Sequence, residues 1–169
     1  ALHEGDAHIR DPAIDPAGEK VVFSMRREGE KTFSLYELEL ETGAHRRLTD
    51  EEGDDLMPTI GPGGTIYFAS NRHRELDEEG ERTLAIYELK EGSLRPRRIT
   101  FAVGDEFYPR YFDVGDMQGR VVSVHRRRLG DRDETVGFST PVDFGSDHHI
   151  FFGITARQDH FTLFEEMPD

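Results

Sequence analysis

The residues of this chain best suited to binding are carboxylates and guanidinium groups in short loops. Gly53-Asp54-Asp55 and Gly104-Asp105-Glu106 each place two acids directly after a glycine. Arg26-Arg27-Glu28 and Ser70-Asn71-Arg72-His73-Arg74 bring arginines and an amide to neighbouring loops. Carboxylate clusters can hold a hard cation, and a cleft with a few convergent polar groups can hold a ligand. Arg26, Asp54, Asp55, Asn71, Arg72, Asp105 and Glu106 are therefore the candidate binding residues. The same residues have a plainer use. Aspartates at turns cap backbone N–H groups, and surface acids pair with nearby arginines.

Histidine offers less. Asp147, His148, His149 and His160 form the densest cluster of possible metal ligands. Adjacent residues on a strand point to opposite faces, so His148 and His149 do not easily share one ion. His160 on a following strand could face one of them. No fixed ligand spacing is present, and no metal is assigned. His125, inside Val121-Val122-Ser123-Val124-His125, reads as a strand residue. There is no Gly-x-Ser-x-Gly elbow, phosphate loop or dinucleotide fingerprint. Paired carboxylates say little in a chain this acidic, and the separation a glycosidase needs cannot be read from sequence. No catalytic residue and no cofactor is assigned, and the chain reads as a non-enzyme.

The formal net charge of −14 over 169 residues argues against nucleic acid and anionic membranes as partners. The run Arg126-Arg127-Arg128 is a local exception, read as a solvated strand end. The chain has no Cys, hence no disulfide frame and no thiolate site. No apolar run approaches the roughly 20 residues needed to span a bilayer, so membrane insertion is not expected. No signal peptide is visible. The first residue is Ala rather than Met, which fits processing or a piece of something longer.

The elements that carry these loops repeat. Leu35-Tyr36-Glu37-Leu38, Leu48-Thr49 and Gly53 to Pro58 match Ile86-Tyr87-Glu88-Leu89, Ile99-Thr100 and Gly104 to Pro109. Tyr to Thr is 13 positions in both copies, and Thr to Pro is 9. Upstream, Pro12 to Gly18 leads into Val21-Val22-Phe23-Ser24, as Pro58 to Gly64 leads into Ile66-Tyr67-Phe68-Ala69. Units are expected to start at Pro12, Pro58, Pro109 and Pro141, the last two degenerate. Periods of this size mean stacked repeats. Each unit reads as four strands: a short one after the Pro, then in the first unit Lys20 to Met25, Ser34 to Leu40 and His45 to Thr49. No stretch holds a 3.6-residue apolar period, so almost no helix is expected. In the third strand Tyr36, Leu38 and Leu40 share one face, with Leu35, Glu37 and Glu39 opposite.

Pro-x-Ile-x-Pro-x-Gly, a strand with Phe, Leu-Tyr-Glu-Leu and Arg-Arg-Leu-Thr together resemble the WD40-like Pro-Asp β-propeller repeat of TolB and its relatives. The resemblance covers residues 12 to about 112. It departs from the family's Ser-Pro-Asp-Gly turn, which here is Asp15-Pro16-Ala17-Gly18 and Gly61-Pro62-Gly63-Gly64. It implies an all-β chain of four-stranded antiparallel propeller blades, incomplete or completed by other chains. Six or more blades close the ring in that family, and an open blade exposes unpaired backbone.

In a propeller, loops between units share a rim with the loops joining second and third strands, which gathers the seven candidates on one rim. The long loop His73 to Arg82 reads as a solvated hairpin loop. The function expected is a non-catalytic binding or scaffold module, holding a protein partner or completed by other chains, periplasmic or extracellular. The alternatives are the propeller portion of a prolyl-oligopeptidase-like hydrolase, or of a multihaem cytochrome-associated redox complex. There is no Cys-x-x-Cys-His for haem attachment within this chain.

Overall fold

The computed structural model describes residues 6–76, 80–101, 104–114, 118–129, 133–141, 149–157 and 160–166, with side chains described as far as Arg126. The described chain is all-β apart from one 3₁₀ turn, Pro62–Gly64. A first sheet holds β1 (Ala7–Ile14), β2 (Lys20–Arg27), β3 (Ser34–Glu39) and β4 (His45–Arg47). A second holds β5 (Asp55–Ile60), β6 (Ile66–Ser70), β7 (Ala85–Leu89) and β8 (Arg97–Arg98). A third holds β9 (Asp105–Tyr111), β10 (Val121–Leu129), β11 (Asp133–Pro141), β12 (His149–Arg157) and β13 (His160–Glu166). Neighbouring strands are antiparallel and consecutive in every sheet.

The first two sheets follow the repeat. Phe23 lies opposite Tyr36 in one and Phe68 opposite Tyr87 in the other. The outer strands β4 and β8 are short and each ends in a pair of arginines, as expected of the charged perimeter of a blade. The third sheet differs. Pro141, expected to open a fourth unit, is the last residue of β11 and lies opposite His149 of β12. The residues beyond it continue the third sheet, which therefore has five strands rather than a truncated set.

The sheets stack through two seams. Val22 and Leu35 of the first sheet meet Ile66, Phe68, Ala85, Tyr87 and Leu89 of the second, with Leu48 and Ile60 alongside. Ala69 and Ile86 of the second sheet meet Val121 of the third, with Tyr67, Ile99 and Tyr111 alongside. Both faces of the second sheet are thus buried. Period-two alternation sends Phe68 to one seam and Tyr67 to the other. On the first sheet, Tyr36 and Leu38 cluster with Phe23 and Met25, while Leu35 faces the first seam.

The innermost strands start earlier than the prolines suggest, at Ala7, Asp55 and Asp105. Each proline sits inside its strand, where the register shifts: between Arg10 and Ala13, between Leu56 and Thr59, and opposite the step from Val122 to Val124. A bulge accommodates a residue that cannot donate to the ladder. The residue before each proline is left-handed, at φ 52° for Asp11, 55° for Met57 and 53° for Tyr108. These three bulges line a small cavity of about 100 Å³, together with Arg110. A β-branched side chain tolerates this conformation poorly. Met57→Val is expected to lower stability by about 1–2 kcal/mol, with Met57→Gly near the parent, as measured by urea unfolding.

Candidate functional site

Of the seven residues chosen from sequence, Asp54, Asp55, Asn71 and Arg72 form one bonded group, Asp105 and Glu106 stand at the equivalent place on the third sheet, and Arg26 lies on the first. Asp54 and Asp55 open the second sheet. The Phe33 N–H of the first sheet donates to Asp54 Oδ1 at 2.9 Å, and the Asp55 N–H donates to the Phe33 carbonyl at 2.8 Å. The third sheet repeats the arrangement. The Leu84 N–H donates to Asp105 Oδ1 at 3.0 Å, and the Glu106 N–H donates to the Leu84 carbonyl at 2.8 Å. Each pair of acids therefore clasps the start of the third strand in the preceding sheet.

Asp55 reaches deeper. It is fully buried (0% exposed), accepts the Ser70 hydroxyl at 2.6 Å and pairs with Arg72 Nη2 at 2.6 Å. The Thr49 hydroxyl also interacts with its carboxylate, while Thr49 Oγ1 accepts the Leu35 N–H at 2.9 Å. Burial dominates these favourable partners and pushes the Asp55 carboxyl up to about 6. The Arg72 side chain is only 6% exposed, stretched between Asp55 and the outer acids Asp50 and Glu52. Its guanidinium lies 5.8 Å from the Phe68 ring centroid and 5.6 Å from that of Tyr87. Asn71 completes the group, its Oδ1 accepting the Asp54 N–H at 2.8 Å. Gly53 is required because a Cβ there would stand 2.8 Å from the Arg72 backbone nitrogen.

The other candidates are placed as follows. Glu106, 1% exposed, stands 3.8 Å from His125 Nδ1, and Arg126 Nη2 donates to Asp105 Oδ2 at 2.8 Å. Arg26 lies over the Phe33 ring at 4.9 Å, with Arg10 at 5.7 Å from the same ring. The plainer reading of the acids, capping and pairing with Arg, matches these contacts. What the sequence does not reveal is that the caps cross from one sheet to the next.

His149 and His160, opposite Pro141 and Arg157 respectively, stand at the two ends of β12 and are not brought together. His148 and Asp147 lie outside the described residues, and no group of metal ligands forms among those described. In the loop His73 to Arg82, an isolated bridge joins Leu76 to Arg82, and His73 Nε2 is 3.1 Å from Thr83 Oγ1. Burial lowers the His73 imidazole from its ordinary value, with Arg98 adding to the effect.

A second cavity lies at the opposite rim, in the first seam. It encloses about 390 Å³ between the turns 15–17, 61–64 and 90–94. Val22, Leu48, Ile60, Ile66 and Leu89 form its apolar wall, and Lys20, Glu37, Arg46 and Arg47 are its charged members on the strands of the first sheet. None of the seven sequence candidates lines it.

No protein-family model and no curated protein matches the chain. Solved structures do. A putative TolB from Agrobacterium tumefaciens is 18% identical with a TM-score of 0.53, over 98% of this chain and 52% of that one. TolB from Acinetobacter baumannii is 18% identical with a TM-score of 0.57, over 94% of this chain and 44% of that one. A puromycin-hydrolyzing peptidase from Mycobacterium tuberculosis is 14% identical with a TM-score of 0.54, over 99% of this chain and 31% of that one. The chain spans about half the length of these structures or less. Its fold is that of a TolB-like β-propeller, in part, and likeness at this identity speaks to fold alone.

Proposed function

We propose that this chain is a non-catalytic binding and scaffold module, a stretch of propeller whose ring is completed by other chains or domains and which holds a protein partner outside the cytoplasm. The observation carrying this reading is the sheet-to-sheet clasp. Asp54 and Asp105 use their carboxylates to fasten one blade to the next, so the acids best placed for chemistry serve assembly. Arg26, stacked on Phe33 at the same rim, is kept as a candidate partner contact. Light scattering on the purified chain, alone and with its native neighbours, tests the reading. The expected result is an assembly larger than 19.3 kDa. A stable monomer that binds nothing would overturn it.

The similarity to the peptidase structure favours a second reading, in which the chain is the propeller portion of a hydrolase. Extending the reading frame decides between them. An α/β-hydrolase segment with a nucleophile elbow supports this second reading, and its absence removes it.

A further inference from the structure

The two seams are built from equivalent positions, which makes each a control for the other. The repeat aligns Val22 with Tyr67, Leu35 with Ile86, Leu48 with Ile99 and Ile60 with Tyr111. It also aligns the ion pair Glu37–Arg46 with Glu88–Arg97, each closed by an Nε–Oε1 contact of 2.8 Å. In the second seam the Tyr67 and Tyr111 rings stack, with centroids 6.0 Å apart and planes within 2° of parallel. Tyr67 lies directly opposite Glu88, as Val22 lies opposite Glu37, so phenol and carboxylate are neighbours, and burial together with Glu88 raises the Tyr67 hydroxyl above its ordinary range. In the first seam both ring positions are aliphatic, and the 390 Å³ cavity opens there, lined by Val22, Ile60, Glu37 and Arg46. That volume falls within the range of about 300–1,000 Å³ usual for ligand sites.

We propose that the first seam is a slot for a tyrosyl side chain of a polypeptide partner, which inserts where the second seam carries its own tyrosines. The apolar wall takes the ring. The buried Glu37 carboxylate, with Arg46 at 2.8 Å and Lys20 at 3.8 Å, stands where the second seam presents Glu88 to its phenol. The three turns framing the slot leave it open at the rim, and Leu94, 86% exposed, stands at its lip to meet the flanking peptide. A polypeptide source fits because the rings that fill the equivalent space are themselves side chains, stacked from strands of two neighbouring sheets. This site deepens the partner-binding reading above and rests on it.

The test titrates the chain with capped Ala-Tyr-Ala, capped Ala-Leu-Ala and p-cresol, following amide chemical shifts. The tyrosyl peptide is expected to bind with a Kd of about 1 mM and to shift residues around Val22, Ile60 and Gly64. Val22→Tyr with Ile60→Tyr, which copies the second seam, is expected to weaken binding at least about tenfold and leave the chain folded. If that pair fails to fold, Glu37→Gln serves instead, with capped Ala-Phe-Ala added to the titration, and is expected to reduce the preference for tyrosyl over phenylalanyl peptide. Equal binding of the leucyl peptide, binding of p-cresol alone, no binding, or binding that survives the filled seam would each overturn the slot. A chain that captures its native neighbours yet ignores the tyrosyl peptide loses the slot and keeps the module. A monomer that captures nothing loses both.

Discussion

Asp55→Ala is expected to lower the stability of this chain by about 3 kcal/mol at neutral pH, the low end for removing one partner of a buried ion pair. The low end applies because Arg72 keeps the exposed Asp50 and Glu52 as partial substitutes. Its buried Nη2 nonetheless loses a partner at 2.6 Å, and the hydroxyls of Ser70 and Thr49 lose their shared acceptor. The pH dependence runs against the habit of carboxylates. Asp55 titrates at about 6 in the fold and ordinarily at 3.8, so the folded state holds this proton more tightly. The stabilising contribution is full below the unfolded value and is lost as pH rises through about 6. The gap corresponds to about 3 kcal/mol. Acidifying from pH 7 to 5 should therefore strengthen the wild type at this position, and Asp55→Asn should flatten that part of the profile. Urea unfolding across this range checks both. A profile unchanged in Asp55→Asn would show that the carboxylate is not desolvated as described.

Phe68→Ala is expected to cost about 3–5 kcal/mol, the range for emptying a fully buried aromatic site. Phe68 is fully buried, with its ring centroid 5.9 Å from that of Tyr87, and belongs to the cluster that joins the first two sheets. Its removal leaves a void on a seam that already contains a cavity, and takes away a ring beneath the Arg72 guanidinium. Combined with Asp55→Ala, the losses should not add, because both changes act on Arg72. Leu94→Ala, at an exposed turn, is the control and should stay within about 0.5 kcal/mol of the parent. Urea midpoints for the parent and these four variants measure all of this.

Much of the fold was legible because the repeat records hydrogen bonds. The 13-residue interval from Tyr to Thr recurs because Thr49 Oγ1 must accept the Leu35 N–H, as Thr100 Oγ1 accepts that of Ile86. The strand from Lys20 follows from its run of β-branched and aromatic residues. The prolines misled because a residue without an N–H reads as a strand boundary, whereas a bulge lets it sit inside. The third sheet was misjudged because past Val121 the chain loses the spacing of the first two units, and Pro141 copies a starting proline without its turn. On the rim, the spacing of acids after glycine marked Asp54 and Asp105, and their reach to the preceding sheet stayed hidden. Asp54 and its amide donor at Phe33 are 21 positions apart on different sheets, a pairing that no local pattern reports. The opposite rim escaped notice because a cavity arises from the smallness of Val22 and Ile60, and aliphatic residues in strands attract no chemical suspicion.

The clasp between sheets has a direction. At the positions equivalent to Asp54-Asp55 and Asp105-Glu106, the first sheet carries His8 and Ile9. A blade docking ahead of the first sheet would offer its amide and find His8 and Ile9 where the later sheets carry acids. The stack is thus polar, like a row of hooks all facing one way. Copies of this chain placed about a dyad cannot reproduce the contact. A head-to-tail array keeps the direction, yet its chain-to-chain junction would lack the carboxylate that locks the junctions within.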